Sequence, residues 1–179
     1  GYTLATHFYS AMSGVSRRAC FRYAGVIETA YLLDEMDVEI IADGVHLPAP
    51  LLKLIYKIKG PDRIALITDA IRAAGMPPGD SIIGSKQNGL KGIMEDGVAK
   101  LPDRSSFAGS VATTDRLIRT MINMADVPLL EAVKMASQTP ANILGLGASK
   151  GSLISGKDAD IVIFDENINV NTTIVQGRV

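Results

Sequence analysis

The 179-residue sequence lacks several features that would indicate particular classes of protein. Its only cysteine is Cys20, so no disulfide can form within the chain, and a reducing cytoplasmic location is expected. No apolar run approaches the roughly 20 residues that span a bilayer. The formal net charge is −1, from 18 basic and 19 acidic side chains, so no strong field favours nucleic acid or a membrane surface. Neither a Walker A sequence nor a dinucleotide-binding fingerprint occurs, which argues against nucleotide binding.

The composition is that of an ordinary globular chain, with 47% hydrophobic and 21% charged residues. Its length allows one domain with a sizeable core. The opening residues, Gly1 to His7, have the pattern of a strand already under way and carry no signal-peptide pattern. We therefore expect the sequence to begin within a longer protein.

The first seventy residues alternate between strand and helix patterns. Short apolar, β-branched runs predict strands at Tyr2–Thr6, Val38–Ala42 and Arg63–Thr68. Apolar residues at helical spacing predict helices over Tyr23–Glu35 and from Pro48 to Gly60. This βαβαβ order predicts a parallel sheet with right-handed crossovers.

Each predicted strand is followed at its carboxyl end by a residue capable of chemistry: His7, His46 and Asp69. These ends lie at one edge of a parallel sheet, which is where α/β barrels hold their catalytic groups. Imidazole and carboxylate together suit a divalent metal that activates water. The other interpretation is that Asp69 caps the next segment and that the two histidines are structural. Two ligands and one base do not complete a metal site.

The middle of the chain changes character. Two hairpin-turn dipeptides, Asn88-Gly89 and Asp96-Gly97, lie between β-prone stretches, and 91–95 is expected to pair with 98–100. Ser105–Ser110 is expected to be a flexible loop whose Phe107, Ala108 and Gly109 could offer backbone donors to a ligand. The remaining predictions are helices from 113 to 124 and from 128, a turn over 140–144, and strands over 157–164 and 171–179.

An arginine cluster follows the first predicted strand. Arg17, Arg18 and Arg22 could hold a phosphate through their forked donors, or they could form a solvated basic loop. Cys20 lies among them and is interpreted as a packing residue, because no second cysteine or histidine is near it in the sequence.

With these residues in view, the chain resembles the N-acetylglucosamine-6-phosphate deacetylases of the amidohydrolase superfamily. The resemblance runs along nearly the whole chain. The motifs that carry it are Thr6-His7-Phe8-Tyr9-Ser10-Ala11-Met12, Ile41-Ala42-Asp43-Gly44-Val45-His46, Ile67-Thr68-Asp69-Ala70, Phe107-Ala108-Gly109-Ser110, Glu131–Ala136, Thr139-Pro140-Ala141 and Gly156–Asp160.

The resemblance implies roles for individual residues. His7 would be a metal ligand, and Asp69 would be the base that takes a proton from water and passes it to the leaving amine. Arg18 would reach the sugar phosphate, in some relatives from a neighbouring subunit. Substrate contacts are implied for Ser10, Ala11, Arg18, Asp43, Gly44, Val45, His46, Phe107, Ala108 and Gly109.

The resemblance also implies an architecture and a cofactor. The expected fold is α/β, the C-terminal part of a (β/α)8 TIM-type metal-dependent hydrolase barrel, over residues 1–146. Residues 147–179 would be strands of a small β domain. Zinc or iron is the expected metal, an amino-sugar phosphate the expected substrate, and a cytoplasmic homo-oligomer the expected state. No nucleic acid or membrane partner is expected.

Three departures from the family pattern bear on these expectations. Ser10 stands where the family usually has asparagine, and the segment after Arg18 is a residue longer than the pattern, so Arg17 is an alternative to Arg18. The family's ligating glutamate and a further histidine lie upstream of the segment that this chain matches. The chain alone is therefore expected to be catalytically incomplete. Two other functions remain open: an amidohydrolase of cyclic amides or aminated rings, and a folded remnant without activity.

Overall fold

The computed structural model describes all 179 residues as five helices and eleven short strands. The helices are α1 Val26–Leu32, α2 Ala49–Lys59, α3 Thr114–Ala125, α4 Leu129–Ala136 and α5 Gln138–Ile143. The strands are β1 Leu4–Ala5, β2 Ser16–Arg18, β3 Phe21–Tyr23, β4 Asp37–Ile40, β5 Ile64–Leu66, β6 Gly79–Ile83, β7 Leu90–Glu95, β8 Val98–Lys100, β9 Phe107–Ser110, β10 Ile161–Phe164 and β11 Val170–Ile174.

The expected parallel sheet is present, with the strand order β1-β4-β5. Ala5 pairs with Val38, and Ile40 pairs with Leu66. The three strands therefore end at the same edge, and the segments that follow them all begin there. The predicted strand–helix alternation is confirmed, and the α/β class with it.

Burial explains why these segments are strands and helices. Val38 and Ile40 of β4 are fully buried, whereas their neighbours on the other face are only half-buried. All three residues of β5 are buried, as expected for a parallel strand covered on both faces. Helix α2 packs Leu52 and Ile55 into the same core. Full burial of such a side chain contributes about 1.5–3 kcal/mol.

A β-hairpin, β2–β3, occupies the segment that sequence analysis interpreted as an arginine loop and the start of a helix. Tyr23 belongs to β3, and α1 begins only at Val26. The break comes at Gly25, where an added Cβ would lie 2.2 Å from the Ser13 carbonyl oxygen. Gly25 also donates its N–H to Glu28 Oε2 at 2.7 Å, which fixes the first turn of the helix. The predicted helix boundary at Tyr23 is wrong for these reasons.

An antiparallel sheet, in the order β6-β7-β8-β9, follows the parallel one in the chain. Its β7–β8 turn is the predicted Asp96-Gly97 pair, with positive φ at both residues (52° and 74°), as a tight hairpin turn requires. The connection at Asn88-Gly89 is instead a longer loop over residues 84–89. The predicted flexible loop at Ser105–Ser110 is also wrong, because Phe107–Ser110 pairs with β8 as a fourth strand.

The C-terminal elements differ from their predictions. Strands β10 and β11 are shorter than predicted, and most of the segment predicted as a turn over 140–144 lies in helix α5, Gln138–Ile143. Ser137 separates α4 from α5, and Pro140 lies in the first turn of α5, where its missing N–H costs no helical hydrogen bond. Strands β10 and β11 form a separate antiparallel pair, with Ile161 opposite Ile174. None of the helices is both long and apolar enough to cross a membrane.

The parallel sheet has β1 and β5 as its two edge strands. An exposed strand edge offers unpaired backbone groups to another chain. We expect the chain to self-associate through the β1 edge, so that its sedimentation coefficient rises with protein concentration. A proline substitution at Leu4 should weaken that association, with an exposed-loop proline at Lys86 as the matched control. A monomer at every concentration, with cooperative melting, would contradict this prediction.

Candidate active site

The segment after β1 has an unusual backbone. Residues His7, Tyr9 and Ala11 all have positive φ (32°, 80° and 56°), a region that residues with a side chain rarely adopt. Between them, Phe8 is 1% exposed and donates its N–H to the Glu39 carbonyl at 2.7 Å. Strained backbone of this kind persists only where the surrounding packing holds it. Phe8 therefore anchors the segment, and the residues on either side of it are held at the sheet edge.

An aromatic cluster supports this anchor. The Phe8 ring lies edge-on to those of Tyr9 and Tyr31, with centroid distances of 4.9 and 5.3 Å. The two tyrosine hydroxyls are 2.9 Å apart. Tyr31 belongs to α1, so the first helix of the chain holds the segment that contains His7, Ser10 and Ala11.

The imidazole of His7 has an unsatisfied nitrogen. Its Nδ1 is buried and has no hydrogen-bond partner in the protein. A buried polar atom left without a partner costs about 1–3 kcal/mol. Such an atom is rare in a folded protein, and a role in binding a ligand would account for it.

The turn after β4 is built around Asp43, which is 3% exposed. Its Oδ1 accepts hydrogen bonds from the backbone N–H groups of Val45 (2.9 Å) and His46 (2.8 Å). Its Oδ2 lies 2.8 Å from His46 Nδ1. One carboxylate thus fixes both the backbone turn and the direction of the imidazole.

The charge state of Asp43 follows from these contacts. Burial by itself raises the pKa of the carboxyl, but the hydrogen bonds from the His46 side chain and from the backbone of His46 and Val45 outweigh it, so the pKa is lowered. An ionised carboxylate only accepts hydrogen bonds, so Nδ1 of His46 carries the proton. The Nε2 of a neutral His46 is then left as an acceptor for other contacts.

Strand β9 brings two of these segments together. The Phe107 ring lies against the His46 imidazole, with a centroid distance of 4.8 Å. Three residues further on, Ser110 donates its N–H to the Asp69 carbonyl (3.4 Å) and accepts the Ile71 N–H at 2.9 Å. The strand that sequence analysis expected to be a loop therefore touches both the histidine turn and the Asp69 segment.

The backbone around Asp69 is closely packed. Asp69 has a φ of 45°, and Ser110, which is fully buried, accepts the Ala112 N–H on its Oγ at 3.0 Å. At Gly109 the φ is 127°, and an added Cβ would lie 2.5 Å from Ile71 Cγ2. Only glycine allows β9 to approach the Asp69 segment this closely.

The arginines of the β2–β3 hairpin form a separate group. Arg17 lies opposite Arg22, and Arg18 lies opposite Phe21, so Arg17 and Arg22 share one face while Arg18 is on the other. All of them are exposed, and the Arg18 guanidinium is 5.7 Å from the centroid of the Tyr23 ring. Cys20, in the turn of this hairpin, is exposed as well, so its interpretation as a packing residue is wrong. Within this chain the hairpin contributes no side-chain hydrogen bond to His7, His46 or Asp69.

Comparison with known proteins identifies the family of this chain. The model of the amidohydrolase family matches residues 1–179, the whole chain. The chain belongs to the amidohydrolase family. Amidohydrolases are generally metal-dependent, and this member has an α/β fold.

Individual relatives of this amidohydrolase chain carry more specific names. An N-acetylglucosamine-6-phosphate deacetylase from Lysinibacillus sphaericus is 38% identical over 179 residues, which is 100% of this chain and 44% of that protein. An N-acetylgalactosamine-6-phosphate deacetylase from Escherichia coli O157:H7 is 34% identical over 173 residues, covering 96% of this chain and 43% of that protein. The chain therefore spans less than half the length of these curated relatives.

A solved relative agrees in structure. The N-acetyl-D-glucosamine-6-phosphate deacetylase D267A mutant from Mycobacterium smegmatis, crystallised in complex with N-acetyl-D-glucosamine-6-phosphate, superposes with a TM-score of 0.87. The two chains are 32% identical, and the match covers 99% of this chain and 45% of that one.

The amidohydrolase chain offers part of a metal site. Its buried, unpaired His7 Nδ1 has the chemistry of a metal ligand, since neutral imidazole nitrogen binds zinc and iron. No group of three or more histidine, cysteine, aspartate or glutamate side chains comes together as a metal site in this chain. His7 thus fits a metal as one ligand of a larger set.

Sequence analysis missed two residues of this amidohydrolase site. Ser110 appeared in a quoted motif without a role, although its backbone holds the Asp69 segment. Arg116 of α3 had no predicted role, yet its Nη2 donates to the Asp43 carbonyl at 2.7 Å. The motif itself was a signal for Ser110, whereas no sequence pattern marks Arg116.

Proposed function

We propose that the chain contributes to metal-dependent deacetylation of N-acetylglucosamine 6-phosphate, giving glucosamine 6-phosphate and acetate. One observation carries the proposal: strand β9 contacts both His46 and the Asp69 segment, at the sheet edge where His7 also lies. The names of the relatives supply the substrate class, an acetylated amino-sugar phosphate.

The catalytic group in this proposal is Asp69. Its carboxylate takes a proton from the attacking water and then donates it to the nitrogen of the leaving amine, which is general base followed by general acid catalysis. A divalent metal, zinc or iron, held in part by His7, would supply Lewis acidity that activates water and polarises the amide carbonyl. His46, with Nδ1 committed to Asp43, presents Nε2 to the substrate.

The substrate contacts divide into two groups. The phosphate end would be bound by Ser10, Ala11 and Arg18, with Arg17 as the alternative on the other hairpin face. The sugar end would be bound by the turn and the strand already described, at Asp43, Gly44, Val45, His46, Phe107, Ala108 and Gly109. The shorter side chain of Ser10, in place of the family's usual asparagine, would leave one phosphate contact to another group.

The wider architecture is part of the same proposal. Residues 1–146 would form the C-terminal part of a TIM-type barrel, as the parallel β1-β4-β5 sheet and its helices suggest. Residues 147–179, with the separate β10–β11 pair, would belong to a small β domain. The protein would act as a homo-oligomer in the cytoplasm, where the single exposed Cys20 would stay reduced.

The proposal is tested by release of free amine from N-acetylglucosamine 6-phosphate in the presence of zinc or iron. The isolated chain should give no turnover above the metal alone. A chimera in which this chain replaces the matching part of the Lysinibacillus sphaericus relative should be active. In the chimera, unphosphorylated N-acetylglucosamine should react much more slowly. Arg18→Ala, or Arg17→Ala on the alternative assignment, should raise KM for the phosphorylated sugar only, and Arg178→Ala, an exposed arginine outside the hairpin, is the matched control. A folded, metal-loaded chimera without activity on the sugar phosphate would contradict the proposal.

N-acetylgalactosamine 6-phosphate is a second candidate substrate, because one relative bears the name of that activity. The two sugars differ in the orientation of one hydroxyl group. The chimera assay with each sugar, compared by kcat/KM, would choose between them.

A further inference from the structure

Arg116 is placed unusually for an arginine of a helix surface. Its Nη1 donates to the Gly97 carbonyl at 2.8 Å, and its Nη2 donates to the Asp43 carbonyl at 2.7 Å. Arg119, on the same helix, instead pairs with the Asp115 carboxylate and donates to the Ile168 carbonyl. Arg116 thus directs its planar fork at two backbone carbonyls that are far apart in the sequence.

Both carbonyls belong to segments of the candidate site. Asp43 begins the turn that fixes His46, and Gly97 lies in the β7–β8 turn of the sheet that contains Phe107. The Gly97 turn rests directly on the guanidinium, because an added Cβ there would lie 2.9 Å from Arg116 Nη2. The contact between His46 and Phe107 therefore joins two segments that Arg116 also joins.

The same face of α3 supports the turn at a second point. A Cβ added to Gly44 would lie 2.9 Å from Met124 Sδ and 3.5 Å from Thr120 Cγ2. Positions 116, 120 and 124 recur every four residues, so they share one face of the helix. The turn that holds His46 is thus packed against α3 along two helical turns, with Arg116 at the end nearest the antiparallel sheet.

We propose that Arg116 is a positioning residue, which sets the distance between the His46 imidazole and the Phe107 ring by tying the Asp43 turn to the antiparallel sheet. The role needs the geometry of guanidinium, since its rigid fork donates in two fixed directions at once, whereas a lysine ammonium is a single point on a flexible stem. The inference rests on the proposed function in one respect only: the contact between His46 and Phe107 would form a wall of the substrate site.

The test reads the His46–Phe107 contact by proton NMR, without substrate. The chain has only two histidines, so a His7→Gln variant assigns the imidazole signals of His46. A Phe107→Leu variant gives the chemical shift of His46 when the ring is removed. In Arg116→Met the His46 signals should move at least half of the way to that reference, and in Arg116→Lys they should move less. Arg119→Met is the matched control and should leave them in place.

Wild-type His46 signals in a folded Arg116→Met variant would overturn the proposal. Should Arg116→Met not fold, Arg116→Lys decides the question, because it keeps the charge and the stem and loses only the fork. Unchanged His46 signals in that variant would overturn the proposal equally. The Arg119→Met control distinguishes a general loss of stability from a change in the His46–Phe107 contact, because it should lower the melting temperature without moving the His46 signals. The signals are read in the absence of turnover, so failure of the proposed deacetylation would leave this result unaffected.

Discussion

Replacement of Asp69 by asparagine should lower amine release by about 10²- to 10⁴-fold in the active chimera, which is the usual contribution of a general acid–base group. The amide of asparagine has nearly the same shape as the carboxylate but cannot take a proton from water. KM should change little, because Asp69 acts on the proton and holds no part of the sugar in this proposal.

The matched control for this prediction is Asp34→Asn. Asp34 is exposed in the connection between α1 and β4, at the other end of the parallel strands. This variant should keep wild-type kcat and KM. A loss smaller than tenfold in Asp69→Asn, with normal metal content, would show that Asp69 is not the base.

Replacement of Asp43 by alanine should destabilise the chain by at least about 3 kcal/mol, since two backbone N–H groups and the His46 Nδ1–H lose their acceptor carboxylate at about 1–3 kcal/mol each. Urea unfolding followed by circular dichroism measures the loss. Asp43→Asn should cost less, because its amide oxygen can still accept the two backbone N–H groups. Asp34→Ala serves as the exposed control, and a loss below about 1 kcal/mol in Asp43→Ala would contradict the prediction.

The lowered pKa of Asp43 gives this effect a pH dependence. A carboxyl whose pKa is lower in the folded than in the unfolded state stabilises the fold above the unfolded pKa, which is about 3.9. That contribution is lost as the pH falls through the folded pKa. The difference in unfolding free energy between wild type and Asp43→Ala should therefore be constant near neutral pH and shrink below about pH 4.

The first half of the fold could be predicted because its signals are local. The apolar runs of β4 and β5 and the helical spacing of α2 reflect burial on known faces, and the strand ends then follow from the parallel order. Strand β9 could not be predicted in this way. Its sequence, Phe107-Ala-Gly-Ser110, has neither the β-branched residues nor the alternation of a strand, and it is a strand only because β8 and the Asp69 segment pair with it.

The candidate site divides in the same way. His7, His46 and Asp69 were expected at one edge because each follows a strand, and their roles remain predictions. The Asp43–His46 hydrogen bond joins two residues three positions apart, so the two side chains lie in one Asp-Gly-x-His turn that is visible in the sequence. Arg116 reaches a carbonyl 73 residues away, and no local pattern records a contact of that range.

The antiparallel sheet is formed by the stretch of chain between Asp69 and Ser110. The parallel bridge between Ala70 and Ser110 holds the two ends of this stretch next to each other. In evolutionary terms the sheet is an insertion whose two ends are held by this bridge. Strand β6 and the loop over residues 84–89 include neither Gly97, which Arg116 contacts, nor Phe107, which contacts His46, so they can change in length or sequence while Asp69 stays in place. Divergence among relatives that act on different acetylated sugars should therefore accumulate between residues 79 and 89, while the parallel strands change slowly.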